Sequence, residues 1–362
     1  MNRTSTKTTR LAALLVAAAA LSAVLLVRSA PASATTAGAC ATQGPVGVAY
    51  AVGVNCRTVT LDGHPRRFIV YVPATAPVAR PHKPVVFMFH GTGGDGDQFL
   101  RISGWREQAD AAGHIAVFPN GLRYRVLESG LLKSKWNDFN LAEQIDRSEL
   151  PPGSAPGSPV PADDVGFVDE IMGDLESQLA IDRRRIYASG FSNGAGFASR
   201  LAVDRSTKIA AAAYSGGGLP SVQSPERRVP TYITVGTLDA EVLERTDPPL
   251  TELPLDPLEI LTNPTIGGFL DIALQTQGLD EDSFGVVSQP RSTKIRWPAT
   301  GTGPGGALFR FGMLEDLVHR YPNGANNPNG FAAAPEFWEF FESHPLPYAP
   351  PPIGVSVLHR EG

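Results

Sequence analysis

The run Gly190-Phe191-Ser192-Asn193-Gly194 sets a serine between two glycines. Arg185-Ile186-Tyr187-Ala188, a β-prone run, precedes it, and an alanine-rich, helix-prone stretch at 195–203 follows. A tight strand-to-helix turn leaves almost no room for side chains at its glycines and exposes the serine hydroxyl at the strand's carboxyl end. N–H groups at the helix start there favour developing negative charge. A serine at its ordinary pKa is a weak nucleophile. It needs a base to take its proton and an acid to orient that base. The same pentapeptide could be an ordinary glycine-rich turn, but the strand before and helix after it point to a nucleophile, Ser192, and to acyl transfer.

In chains built around such an elbow the acid and then the histidine follow the serine. Of seven histidines, only His319, His344 and His359 do so. His319 stands in Leu317-Val318-His319-Arg320-Tyr321-Pro322, a loop after the apolar run 307–313. His344 follows a helical pattern at 335–342, where a histidine commonly caps the helix end, and His359 lies in the tail. His319 is therefore the expected base. Asp239 closes Val235-Gly236-Thr237-Leu238-Asp239 just past a core-strand pattern and is the expected acid. Asp247, Asp256 and Asp271 fit less well.

The developing oxyanion needs donors. One is expected from the backbone N–H of Asn193. The other should come from the loop after the apolar run 84–89, which reads His90-Gly91-Thr92-Gly93-Gly94-Asp95-Gly96, with the N–H of Thr92 as the best candidate. This loop lacks the lysine and spacing of a phosphate-binding loop. His90 reads as a structural hydrogen bonder. The chemistry requires no metal and no cofactor.

The elements that position these residues alternate. Strand patterns at 57–61 and 67–72 flank Asp62-Gly63, a hairpin signal. Further strands are expected at 84–89, 114–118, 185–188, 209–214 and 230–235. Helices are expected at 195–203 and over Val168, Ile171, Met172, Leu175 and Leu179, the latter capped by Asp163 or Asp164. Strands alternating with helices predict an α/β fold with a mostly parallel sheet.

Residues 1–34 stand apart. Arg3, Lys7 and Arg10 precede the apolar run 11–27, and Ala32-Ser33-Ala34 offers a small-residue cleavage site. This is the layout of a secretory signal peptide, too short for a membrane span. It predicts a secreted protein with no membrane attachment after cleavage. The remainder, 35–362, is expected to be one catalytic domain. Within it 240–300 is a proline-broken, lid-like insertion, and 345–362 is a proline-rich tail. Export also predicts that Cys40 and Cys56, the only cysteines, form a disulfide.

The 362-residue chain is 42% hydrophobic and carries a net charge of −5. That excludes a disordered chain, and the acidic balance disfavours nucleic-acid partners. The leader holds four basic residues and no acidic one, so the rest is more acidic still.

In these residues the chain resembles the extracellular polyhydroxybutyrate depolymerase and feruloyl esterase group of α/β-hydrolases. The resemblance runs from Asp62 to about Phe341. It is carried by the loop at His90, Pro119-Asn120-Gly121, Trp136-Asn137-Asp138, Asp163-Asp164-Val165-Gly166-Phe167, the elbow at Ser192, Gly236-Thr237-Leu238-Asp239, and His319 with Tyr321-Pro322. It implies the α/β-hydrolase fold and Ser192, Asp239 and His319 as the triad. It suggests Trp136 and Tyr321 beside the substrate, with core packing an equal reading of Trp136, and it makes Asp164 structural. The chain departs from the group around the base, where Leu-Val precedes His319 instead of Gly-Gly and Arg-Tyr-Pro follows it instead of Trp-Pro.

The expected activity is hydrolysis of carboxylic esters of polyhydroxyalkanoate, feruloyl or small-molecule type by a monomer. A secreted serine peptidase and a catalytically silent exported binding protein are the alternatives.

Overall fold

The computed structural model describes residues 41–74, 81–298, 308–328 and 330–347. The expected leader at 1–34, Cys40 of the expected disulfide, His359 and most of the tail lie outside them. Among the described residues no helix is long and apolar enough to cross a membrane.

Thirteen strands are described. The first half of the chain supplies β1 (Thr42–Pro45), β2 (Gly53–Leu61), β3 (His64–Val72), β4 (Lys83–Phe89), β5 (Ile115–Pro119), β6 (Leu122–Arg125) and β7 (Leu132–Lys135). The second half supplies β8 (Ile181–Phe191), β9 (Ala211–Ser215), β10 (Thr231–Leu238), β11 (Gly285–Gln289), β12 (Ser292–Trp297) and β13 (Phe309–Val318). Eleven form one sheet in the order β1-β2-β3-β5-β4-β8-β9-β10-β13-β12-β11, while β6 and β7 pair apart. The six central strands, from β5 to β13, are mutually parallel. This mostly parallel sheet flanked by helices is the expected α/β-hydrolase architecture.

The apolar run in β4 shows why the centre is parallel and doubly covered. Val85, Phe87 and Phe89 point into one core, Val86 and Met88 into the other, and all five are fully buried. The first core is closed by α4 (Asp164–Gln178), α5 (Asn193–Asp204) and α8 (Pro264–Gln277). The second is closed by α1 (Gly96–Ile102), α2 (Trp105–Ala112) and α9 (Ala333–Glu342). The short helices α3 (Leu141–Gln144), α6 (Ala240–Leu243) and α7 (Pro257–Thr262) complete the set. At the hairpin between β2 and β3, Asp62 and Gly63 both take positive φ, as a two-residue turn requires.

Two expectations need restating. Asp163, not Asp164, caps α4, its carboxylate accepting the Gly166 N–H at 2.8 Å. Asp164 is instead the buried partner of Arg66, 2.5 Å away, whose guanidinium also lies over the Phe167 ring. Residues 240–300 were expected to be lid-like. In the structure α8 packs into the first core through Ile266, Leu270 and Leu274, β12 continues the sheet antiparallel to β13, and β11 pairs antiparallel with β12. A proline-broken pattern can therefore extend the sheet, because its strands fall between the prolines.

Candidate active site

Ser192 sits between β8 and α5 with φ 55° and ψ −124°. Few side-chain-bearing residues hold such a conformation unless their surroundings enforce it. Here the Ser192 N–H donates to the Ser215 carbonyl at 3.0 Å, and the Ser192 carbonyl accepts from Ala195 and Gly196. The flanking glycines have no alternative. A Cβ at Gly190 would meet the Gly194 carbonyl, and one at Gly194 would meet the carbonyls of Phe89 and His90.

The β10–β13 register brings the other two groups together. Past an irregularity at Gly236, Leu238 pairs with Val318, so the next residue on each strand, Asp239 and His319, emerges at the same edge. His319 Nδ1 lies 2.9 and 3.0 Å from the two Asp239 oxygens, and Nε2 lies 2.9 Å from Ser192 Oγ. A carboxylate can only accept, so it holds the proton on Nδ1 and leaves Nε2 free to accept from the serine. Asp239 is only 2% exposed and is fixed further by the Glu241 N–H. His344 instead caps α9, with Nδ1 2.6 Å from the Phe340 carbonyl.

Thr92 lines the same cleft as His319, and Asn193 is the first residue of α5. Among the described residues no acceptor takes the backbone N–H of either. The Thr92 loop is held from β7: Gly93 N–H donates to the Ser134 carbonyl and Ser134 Oγ donates to Gly94 O.

Trp136 is not at the substrate surface. It is fully buried, stacked on Phe197, and its indole N–H donates to the His90 carbonyl at 2.9 Å. The Trp136-Asn137-Asp138 motif is a clamp. Asn193 Oδ1 accepts the Trp136 N–H, and its amide donates to Asp138. Asn137 N–H donates to Asp164. The motif thus ties the elbow to the buried Arg66–Asp164 pair. Tyr321 does line the cleft, although its hydroxyl points inward to accept from Trp105 Nε1 at 3.0 Å.

The cleft has a volume of about 320 Å³. Its walls are Phe99, Ile102, Phe191 and Tyr321, with Gln98 and Arg320 at the polar side. Among the described residues none of its lining comes from 240–300. The contribution of α1 was not anticipated. Its signal was Asp95, which caps α1 by accepting the Gln98 N–H.

Two buried histidines give the fold an acid limit. His90 donates through Nδ1 to Gly91 O and accepts the Gly121 N–H at Nε2, and burial lowers its pKa from 6.5 to about 4. Burial lowers that of His114 to about 3. Below pH 6.5 the unfolded chain binds protons that the folded chain refuses, so stability falls with pH down to these folded values. The slope is up to about 1.4 kcal/mol per pH unit for each ring. Urea midpoints between pH 7 and 4.5 should fall accordingly, and His114→Phe should flatten the slope; an unchanged slope would remove His114 as a cause.

No family model matches the chain. Over 186 residues it is 28% identical to NocK of Nocardia uniformis subsp. tsuyamanensis, which carries the name of an esterase; the match covers 51% of this chain and 48% of that protein. It is 24% identical over 283 residues to the bifunctional acetylxylan esterase/xylanase XynS20E of Neocallimastix patriciarum, covering 77% and 33%. Feruloyl esterase C of Emericella nidulans is 26% identical over 162 residues, covering 43% and 48%. All three carry esterase names. The chain spans about half or less of the length of each of these esterase relatives. Among solved structures, the acetyl xylan esterase from Aspergillus awamori superposes with a TM-score of 0.48 at 13% identity, over 79% of this chain and 98% of that one.

Proposed function

We propose that the protein is a serine carboxylic-ester hydrolase. The observation that carries this reading is the continuous hydrogen-bonded line from Ser192 through His319 to Asp239, with 2.9 Å at each step. His319 Nε2 takes the Ser192 proton as Oγ adds to the ester carbonyl. The N–H groups of Thr92 and Asn193 hold the oxyanion, and Asp239 stabilises the imidazolium. Collapse breaks the ester C–O bond, and the alcohol leaves with the proton from Nε2. Water, deprotonated by His319, then attacks the acyl-enzyme and releases the acid and Ser192.

The leader at 1–34 exports the enzyme. The names of the relatives bring acetyl and feruloyl esters into its substrate range, beside the hydroxyalkanoate esters that the sequence motifs suggest. A fluorophosphonate probe tests the reading. It should phosphonylate Ser192, located by mass spectrometry of the labelled peptide, and abolish turnover of p-nitrophenyl butyrate. Full turnover after complete labelling, or a label on another serine, would overturn it. A panel of acetyl, feruloyl and hydroxybutyrate esters then ranks the substrates.

A further inference from the structure

The residue after the proposed base is an arginine, and it faces the cleft. Arg320 shares the lining with His319, Phe191 and Phe99. Its backbone N–H donates to the Val318 carbonyl at 2.6 Å, and the residue is exposed at the cleft beside His319. Several arginines of the described residues are paired with acids: Arg66 with Asp164, Arg125 with Glu149, Arg205 with Asp169, Arg291 with Glu315 and Asp316. Among the described residues Arg320 has no carboxylate within ion-pairing distance and no acceptor for its guanidinium. The nearby polar groups do not replace such a partner. Asn326 is occupied by Tyr321 O and Asn323 N–H, and the Asp239 carboxylate is spent on His319.

An unpaired guanidinium beside an aromatic-walled cleft, on a chain of net negative charge, is a selective feature of that cleft. Its planar fork matches a carboxylate in a bidentate pair. We propose that Arg320 determines specificity by recognising a carboxylate carried on the ester substrate, so that the enzyme favours half-esters and acid-bearing esters over neutral ones of equal length. The proposal rests on the esterase reading above and specifies its substrate class. Arg320 takes no part in bond making. Its contribution is to KM, through a charge pair that is partly exposed and therefore modest.

The test uses two matched pairs of substrates. With the charge on the acyl side, mono-p-nitrophenyl adipate is compared with p-nitrophenyl hexanoate. With the charge on the alcohol side, 4-carboxyphenyl butyrate is compared with 4-carbamoylphenyl butyrate. The full chain should prefer the anionic member of at least one pair in kcat/KM, and the pair that responds shows which side Arg320 reads. Arg320→Gln should cut that preference about five- to tenfold, mainly through KM. Arg320→Lys should keep part of it, Arg320→Glu should reverse it, and 1 M salt should shrink it in the wild type. Hydrolysis of the neutral esters with the same anionic-to-neutral ratio in wild type and Arg320→Gln would overturn the proposal while leaving the esterase reading intact. Failure to hydrolyse any of the four would overturn both.

Discussion

Ser192→Ala should lower kcat for p-nitrophenyl butyrate by about a millionfold, to the level that oxyanion stabilisation and binding alone sustain. The size follows from the geometry. Ser192 Oγ is the group 2.9 Å from His319 Nε2, and no other hydroxyl of the described residues bonds to that nitrogen. Without Oγ there is no acyl-enzyme, and His319 has nothing to deprotonate but water. The fold should survive. The substitution removes one oxygen atom, and the elbow is held by the backbone bonds of Ser192 to Ser215, Ala195 and Gly196, which alanine keeps. The thermal melt of the variant should stay cooperative and close to that of the wild type. A loss under a hundredfold, with the melt intact, would place the nucleophile elsewhere.

Asp239→Asn should cost about ten-thousandfold in kcat with little change in KM. The amide has nearly the same shape, so packing at a site 2% exposed is preserved. What changes is the hydrogen-bond sense. Both carboxylate oxygens accept from Nδ1 now, and Oδ1 also accepts the Glu241 N–H. An asparagine must keep its oxygen on the Glu241 N–H or turn it to the ring. When its NH2 faces Nδ1, the imidazole must accept there and carry its proton on Nε2, which then donates toward Ser192 and cannot take a proton. A variant retaining a tenth or more of wild-type kcat would show that Asp239 positions helix α6 and does not orient His319.

The parts of this site legible in the sequence were those with local causes. The elbow can be read because its two glycines, the strand before it and the helix after it are all within about twenty residues, and the steric reason for Gly190 and Gly194 is backbone against backbone. His319 could be separated from His344 because the latter ends a helical pattern, where its bond to Phe340 O is a local event. Trp136 shows the limit. A tryptophan beside an Asn-Asp pair serves equally as a wall of a pocket or as a core ring. Only the third dimension, with Phe197 stacked on it and the His90 carbonyl on its indole, decides. The strand β11 was illegible for a different reason. All of β11 is solvent-exposed, so it carries no alternation of buried and exposed residues to be read. Asp163 and Asp164 are adjacent acids at one helix start, and their different duties depend on Arg66, far away in sequence.

The proposed catalytic line joins residues far apart in the chain: 127 positions separate Ser192 from His319, and 80 separate Asp239 from His319. This has a consequence for the history of each molecule. During synthesis the serine, its elbow and the acid emerge well before the base. A chain that has not yet docked β13 beside β10 holds a nucleophile with nothing to activate it. Closing such distant contacts is slow compared with helix or hairpin formation. The proposed hydrolytic activity would therefore switch on late, with the arrival of the last core strand, and the incomplete chain would be chemically inert toward esters.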